Sequence, residues 1–272
     1  MSSGKVGVKR GVFICKNIYN RYSDLDAKQF MYASGISNNQ IKDAIYRLCI
    51  DLKMAGIFTK CTAIYPFVGG TATTHRFNLR DPRDLNAAFR LQFFGGGTHS
   101  ATGYSPGGVN GYADTFLVPN TSLQLNSVHL SYYSRTNQTF TDVLLGAADA
   151  SYNNGLYLLP KNTPNNEYTR MNQSVFTNPT GHANTFGFFA ASRIISTEFR
   201  SYRNGNLINT IPANSSGLTS LKIFIGSANI SPIQYTSCEC AFSSIGAGLT
   251  ASETAIYNSI VQSFQTTLGR NV

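Results

Sequence analysis

The chain has 272 residues and a net charge of +9, with only 13% charged residues against 12% aromatics, 24 Gly, 15 Tyr, 18 Phe and no Trp. This balance argues against helical bundles, fibrous repeats and low-complexity chains, and suits one large all-β domain with an appendage, since such sandwiches commonly exceed about 200 residues. No run approaches the ~18 apolar residues of a membrane span and no signal-peptide apolar core is visible, so a chain made in a cytoplasm is expected.

The basic excess lies at the start. Residues 1–60 carry ten Lys or Arg against four Asp, and Lys5, Lys9, Arg10, Lys16 and Arg21 all precede the first acid, Asp24. Residues 1–36, with a short apolar patch at Val12, Phe13 and Ile14, read as a basic arm that docks on an acidic surface and anchors the domain; a solvated tail is the alternative. Cys15, Cys49 and Cys61 are isolated, and Cys238 with Cys240 share one strand face. An odd count without metal-ligand spacing predicts free thiols packed as small hydrophobes.

A helix is predicted next, opened by a Ser37–Gln40 capping box, striped by Ile41, Ile45, Leu48 and Leu52 and closed by Gly56. From Ile57 the pattern changes to short alternating runs. In one of them Phe89, Leu91 and Phe93 share a face while Arg90 and Gln92 share the other, the period-two signature of a half-buried strand.

A glycine-rich loop follows. Its residues His99, Tyr104, Asn110, Tyr112 and Asp114 combine ring faces for sugar stacking with donors and acceptors for hydroxyls, and form the candidate carbohydrate site. The competing reading makes them supports of a tight corner, with Asp114 capping loop amides. Gly103-Tyr-Ser-Pro-Gly107 fits the nucleophile-elbow spacing, but the next residues form more loop where that motif requires a helix. Asp114 alone is too little for calcium, which takes six to eight oxygens, and His75, His99, His129 and His182 show no ligand spacing; no cofactor and no metal are expected.

Further strands are predicted at Val128–Arg135, Phe140–Leu145, Phe186–Arg193, Thr197–Arg203, Leu207–Ile211, Leu221–Ile225 and Cys238–Ile245. Asn204-Gly205 is the strongest hairpin signal, because a type I′ turn needs positive φ at both central positions. Tyr132 and Tyr133 precede Arg135, but period two sends the tyrosines to opposite faces, which disfavours a nucleic-acid surface. A C-terminal helix opens on a Thr250–Glu253 capping box, presents Ile256, Ile260 and Phe264 with Tyr257, Val261 and Leu268 beside them, and stops at Gly269.

Ser201-Tyr-Arg-Asn-Gly-Asn-Leu207 and Leu221–Asn229 resemble the hairpin and following strand of concanavalin A-like lectin/glucanase (LamG-like) domains. Ala63–Gly70, Phe77–Pro82, His129–Thr136 and Ile245–Thr250 are similar to the version of that domain in virion structural proteins of bacteriophages, including crAss-like phages. The resemblance spans about residues 38–270 and implies a concanavalin A-like jelly-roll sandwich with flanking helices over residues 37–272, in a virion setting. Glucanases on this fold carry alternating acids on one strand, as retaining hydrolysis needs two carboxyls about 5 Å apart. Here Asp114, Asp142, Asp149, Glu167, Glu198 and Glu239 never fall at i and i+2.

The expectation is therefore a non-enzymatic virion structural protein, a tail, spike, fibre or capsid-decoration component that displays a lectin-like domain. Its partners would be other virion proteins, further copies of itself in a homo-oligomer, and a host-surface glycan. A purely architectural subunit is the first alternative and a glycan depolymerase the second.

Overall fold

The computed structural model describes residues 23–138, 142–162, 166–175, 179–231 and 233–272. The five basic residues of the arm, Lys5, Lys9, Arg10, Lys16 and Arg21, together with Cys15 and Phe140, lie outside the described residues.

Three long helices, two four-residue ones and sixteen strands follow in order: α1 Leu25–Ser34, α2 Asn39–Met54, β1 Cys61–Tyr65, α3 Ala72–His75, β2 Gln92–Phe94, β3 Thr98–Ser100, β4 Gly103–Ser105, β5 Tyr112–Asp114, α4 Pro119–Ser122, β6 Val128–Ser134, β7 Leu145–Ala147, β8 Gly155–Leu158, β9 Arg170–Gln173, β10 Gly187–Arg193, β11 Glu198–Arg203, β12 Asn206–Pro212, β13 Phe224–Ile225, β14 Ser227–Asn229, β15 Gln234–Tyr235, β16 Cys240–Gly246 and α5 Ala251–Thr267. The strands make two eight-stranded sheets. The first runs β12-β11-β10-β6-β16-β4-β3, with β1 also on β16; the second runs β15-β14-β7-β13-β5-β2, with β8 and β9 attached to β7.

The alternation of β6 builds the layers. Tyr132 pairs across to Phe189 and Ser243, Tyr133 to Phe188 and Phe242. Tyr132 and Phe189 point between the sheets, where they meet Leu130, Ile245, Leu144, Leu156 and Ile225. Tyr133, Phe188 and Phe242 point the other way, into a second core with Tyr257, Val261 and Phe264 of α5 and Ile45, Leu48 and Leu52 of α2. Both tyrosines are fully buried and Arg135 pairs with Glu239 at 3.2 Å, so this strand offers no nucleic-acid platform. The molecule is thus three layers: helices, first sheet, second sheet. Two packed sheets with flanking helices match the jelly-roll-like sandwich expected.

Several local expectations change. Residues 25–36, assigned to the arm, belong to the packed body: α1 buries Ala27, Phe30 and Met31 against α2, and Ile36 follows. Asp24 caps that helix by accepting from the Ala27 N–H at 3.0 Å. Asn38 caps α2 where Ser37 was expected, accepting from the Ile41 N–H at 3.1 Å, and Gln40 donates to the Thr267 carbonyl at 2.7 Å instead of closing a capping box. Its gain is a tie between α2 and α5. The box at Thr250 and Glu253 forms in both directions, yet Ile256 is 48% exposed, because the buried stripe of α5 is set by Tyr257, Val261 and Phe264. Phe89 takes a left-handed φ of 58° after a 3₁₀ turn, so the predicted strand shortens to Gln92–Phe94 while Phe89, Leu91 and Phe93 all reach the inter-sheet core. The β11–β12 hairpin has φ of 47° at Asn204 and 77° at Gly205, as a type I′ turn requires. Cys49, Cys61, Cys238 and Cys240 are buried free thiols.

Candidate functional site

The five residues of the candidate site do not converge. His99 and Tyr104 face each other across the β3–β4 hairpin in the first sheet, with rings stacked at 4.9 Å. Tyr104 has no exposure and packs between the sheets; its hydroxyl has no hydrogen-bond partner among the described residues, and burial pushes its pKa up. It cannot touch a sugar without unfolding the corner, so its place in the candidate site is withdrawn. His99 is half-buried against Phe93 and Tyr104. Asn110 braces the loop: its Oδ1 accepts from the Gly96 N–H at 2.9 Å. The loop closes this tightly because Gly95 sits at φ 71° with the space for a Cβ already filled by the Asn110 carbonyl, 2.0 Å away.

Tyr112 and Asp114 belong to the other sheet. Pairing of Gln92 with Asp114 and of Phe94 with Tyr112 puts these four side chains on the outer face of the β2–β5 ladder, opposite Phe93 and Ala113. There Tyr112 stacks on Phe94 at 5.1 Å and 18°, and on Phe224 at 4.4 Å and 28°, with Tyr235 at 6.4 Å. Offset stacks of this kind contribute about 0.5–1.5 kcal/mol per pair and hold the rings rigid. Phe94 is 37% exposed and Tyr112 partly so, leaving an aromatic strip open to solvent.

The strip is edged by charge. One oxygen of Asp114 accepts from the Phe116 N–H at 2.7 Å and the other from Lys222 Nζ at 3.0 Å. With both oxygens engaged, Asp114 supports its own turn and a cationic neighbour; it is not shaped for calcium. Among the described residues no group of three or more His, Cys, Asp or Glu comes together as a metal site.

At the end of the strip, beyond Gln92, a concavity of about 330 Å³ is lined by Thr73, Arg76, Arg90, Leu91, Gln92 and Phe93. Arg76 and Arg90 reach it from either side of Asp84, which accepts from both, Arg90 Nη1 lying 2.9 Å from Oδ1. Sequence reasoning missed this pocket and the residues Phe94, Phe224, Tyr235 and Lys222. Period two in the Phe89–Phe93 run already set Gln92 on the face opposite Phe93, and Lys222 with Phe224 alternate in a predicted strand; what no pattern revealed was that β2, β5 and β13 lie side by side.

Four further sandwich acids are employed structurally. Glu239 pairs with Arg135 and accepts from Thr102, Glu198 holds Arg200 at 3.0 Å, and Asp149 accepts from Thr219 at 2.6 Å and Asn154 at 2.9 Å. Glu167 is fully buried, accepts from Ser201 and Asn209 at 2.7 Å each, and has its pKa raised by burial. After β4, Ser105 leads into the loop and then β5, so the elbow-like spacing around it has no following helix.

Comparison with known proteins places the fold. No family model and no curated protein sequence matches the chain. Among solved structures it is similar to the binding domain of botulinum neurotoxin serotype D (TM-score 0.51, 9% identity, 76% of this chain and 52% of that one). It is similar also to the binding domain of botulinum neurotoxin DC in complex with SialylT (TM-score 0.50, 11% identity, 75% and 52%). A third similarity is to the sialidase of Trypanosoma rangeli (TM-score 0.50, 11% identity, 74% and 32%). The chain thus spans about half or less of the length of these structures. At such identities the likeness is one of fold: a jelly-roll-like sandwich of two packed sheets. No described helix is long and apolar enough to cross a membrane.

Proposed function

We propose that the chain is a non-enzymatic, lectin-like structural subunit of a bacteriophage particle, whose second sheet presents its outer face to a glycan of the host surface. The observation that carries the glycan part is the pair Phe94–Tyr112, open to solvent, backed by the buried ring of Phe224 and bordered by Gln92 and the Asp114–Lys222 pair. Apolar ring faces beside fixed donors and acceptors suit the two-sided character of a pyranose, whose C–H face stacks while its hydroxyls hydrogen-bond. The same fold is used by a binding domain solved in complex with SialylT, which supports this reading. The engagement of Asp114, Asp149, Glu167, Glu198 and Glu239 by polar partners supports a non-catalytic role.

A glycan array probed with the folded protein tests the reading, with Tyr112→Ala as control. Binding of a restricted sugar set, lost in the variant, is expected. A folded parent that binds no sugar would overturn it.

The virion setting rests on the sequence resemblance and on the basic residues Lys5, Lys9, Arg10, Lys16 and Arg21, which we assign to docking on an electronegative surface of neighbouring virion proteins. Changing the five to Ser should reduce incorporation into particles; normal incorporation would remove that assignment. One feature favours the architectural alternative: the edge strand β12 carries no charge, and its Leu207 and Ile208 are 49% and 40% exposed. Unguarded edges pair with other chains, so a homo-oligomer joined through β12 is the second reading, checked by light scattering of Ile208→Lys against the parent.

A further inference from the structure

We infer that the pocket beside the aromatic strip selects an acidic sugar, its carboxylate held by Arg76 and Arg90. This rests on the glycan reading above and adds the chemical class of the ligand. The two arginines approach one concavity from different elements, Arg76 from the end of α3 and Arg90 from the segment entering β2. Two guanidinium groups share the single carboxylate of Asp84, so the trio keeps one net positive charge, while the neighbouring Asp81 is taken up by Arg83.

The arginines are fixed in advance. Asp84 receives Arg76 on one oxygen and Arg90 on the other, and Arg90 Nε also donates to Asn86 at 2.9 Å. Such fixing lowers the ordering cost of binding. The pair already brackets one planar carboxylate, that of Asp84, and a carboxylate is the group guanidinium forks recognise best. Donors remain. Arg76 Nε is buried and has no hydrogen-bond partner among the described residues; a buried N–H without an acceptor is costly, so Asp84 alone leaves the Arg76 guanidinium incompletely satisfied.

The rest of the lining fits a sugar ring. Thr73 is exposed and supplies a hydroxyl, and Phe93 supplies an apolar wall. Gln92 both lines the concavity and pairs across the ladder with Asp114, which makes the pocket continuous with the face that carries Tyr112. The volume, about 330 Å³, lies at the lower end of the ~300–1,000 Å³ range of small-molecule sites.

The test uses a tetrasaccharide containing glucuronate and the same tetrasaccharide with its carboxyl groups reduced to alcohols, titrated against the full chain at neutral pH. We expect the acidic sugar to bind about tenfold or more tightly than its reduced partner, the advantage shrinking in high salt. Arg76→Gln and Arg90→Gln should each bring the acidic sugar down to the affinity of the reduced one. Asp84→Asn, whose amide oxygen can still hold a guanidinium in place while the competing negative charge is gone, should strengthen acid binding, a gain that a merely structural role would not produce. Equal affinity for the two sugars in the parent, both lost in Tyr112→Ala, overturns the acidic preference and leaves the glycan reading standing. No binding of either sugar, with the glycan array also blank, overturns both.

Discussion

His75 and His99 meet Nδ1 to Nδ1 at 2.9 Å. His75 Nε2 accepts from the Gly70 N–H at 3.2 Å, so its proton sits on Nδ1 and is donated to His99, whose own Nδ1 must be bare. Neither ring can gain a second proton without setting two N–H groups against each other. Burial, the facing His99 and the nearby Arg270 bring the His75 pKa down to about 3.

Acid should therefore destabilise the domain. Burial also lowers His129 and His182 to about 4 each, whereas an unfolded histidine titrates near 6.5. The unfolded chain binds more protons between these values, so the stability contributed by neutral histidines is complete above about pH 6.5 and is lost as pH falls toward 4. Glu167, Asp51 and Asp142, raised by burial, work in the opposite sense, whereas His99, also lowered by burial, adds to the three histidines; the histidine shifts that reach values near 3 and 4 are the larger ones. Thermal melts at pH 7 and pH 4.5 should differ by roughly 10 °C, about the effect of several kcal/mol on a domain of this size. A melting point independent of pH over that range would contradict the protonation assignment.

Tyr104 and Tyr112 separate packing from recognition. Tyr104→Ala opens a cavity between the sheets and should cost about 3–5 kcal/mol. Tyr112→Ala removes two ring stacks on a partly exposed face, with a cost of about 1–2 kcal/mol, and should abolish sugar binding. Asp114→Ala leaves the Phe116 N–H without its acceptor and Lys222 without its partner, again about 1–2 kcal/mol. Chemical denaturation and glycan binding measured on the same three proteins decide the matter: a Tyr112 variant that binds like the parent would remove the strip from the site.

Arg270 is a second load on the core. Its guanidinium, 1% exposed, donates to the carbonyls of Pro66 and Phe67 at 2.7 Å and of Ala241 at 2.8 Å, while Nε donates to Gln265 at 2.6 Å. Burial lowers its pKa to about 9, still charged at neutral pH. Arg270→Met would strand three buried carbonyls and should cost about 3–5 kcal/mol. Arg270→Lys, with one ammonium in place of a fork, should recover little. The midpoint of urea unfolding for both variants checks this; a midpoint unchanged in the Met variant would show the carbonyls satisfied elsewhere.

Two truncations locate the start of the folded body. Removing residues 1–22 should leave the melting point within a few degrees, because the described core begins at α1. Removing residues 1–36 also takes Ala27, Phe30, Met31 and Ile36 from the helical core, and should lower it by about 10 °C or more. Equal melting points for the two truncated proteins would return residues 25–36 to the arm.

The elements legible in the sequence were those whose evidence is local. The type I′ turn at Asn204-Gly205, the Thr250–Glu253 box and the alternation through Tyr132 and Tyr133 each depend on neighbours within a few positions, and each is present. Helix α1 was missed because its buried residues are few and irregularly spaced, Ala27, Phe30, Met31 and Ser34, so its packing partner rather than its own pattern defines it. Gln40 was assigned to a cap because four residues fit the motif, but the carbonyl of Thr267, distant in sequence, wins it. The candidate site divides for the same reason: Tyr104 and Tyr112 lie in one loop region of the chain, yet the chain crosses from one sheet to the other between them. Phe224 and Arg76 join the surface only after folding.

The layering gives the molecule a direction. The described chain enters at Asp24, beside α1 in the helical layer, and the aromatic strip lies on the far side of both sheets. If the body is held through the segment before Asp24, as proposed above, the face that carries Phe94 and Tyr112 is turned outward, away from the support. Copies arranged around a common support would then expose like surfaces in the same sense, and, on the proposed reading, any affinity of one copy for a sugar would be multiplied by the number of copies facing the same surface.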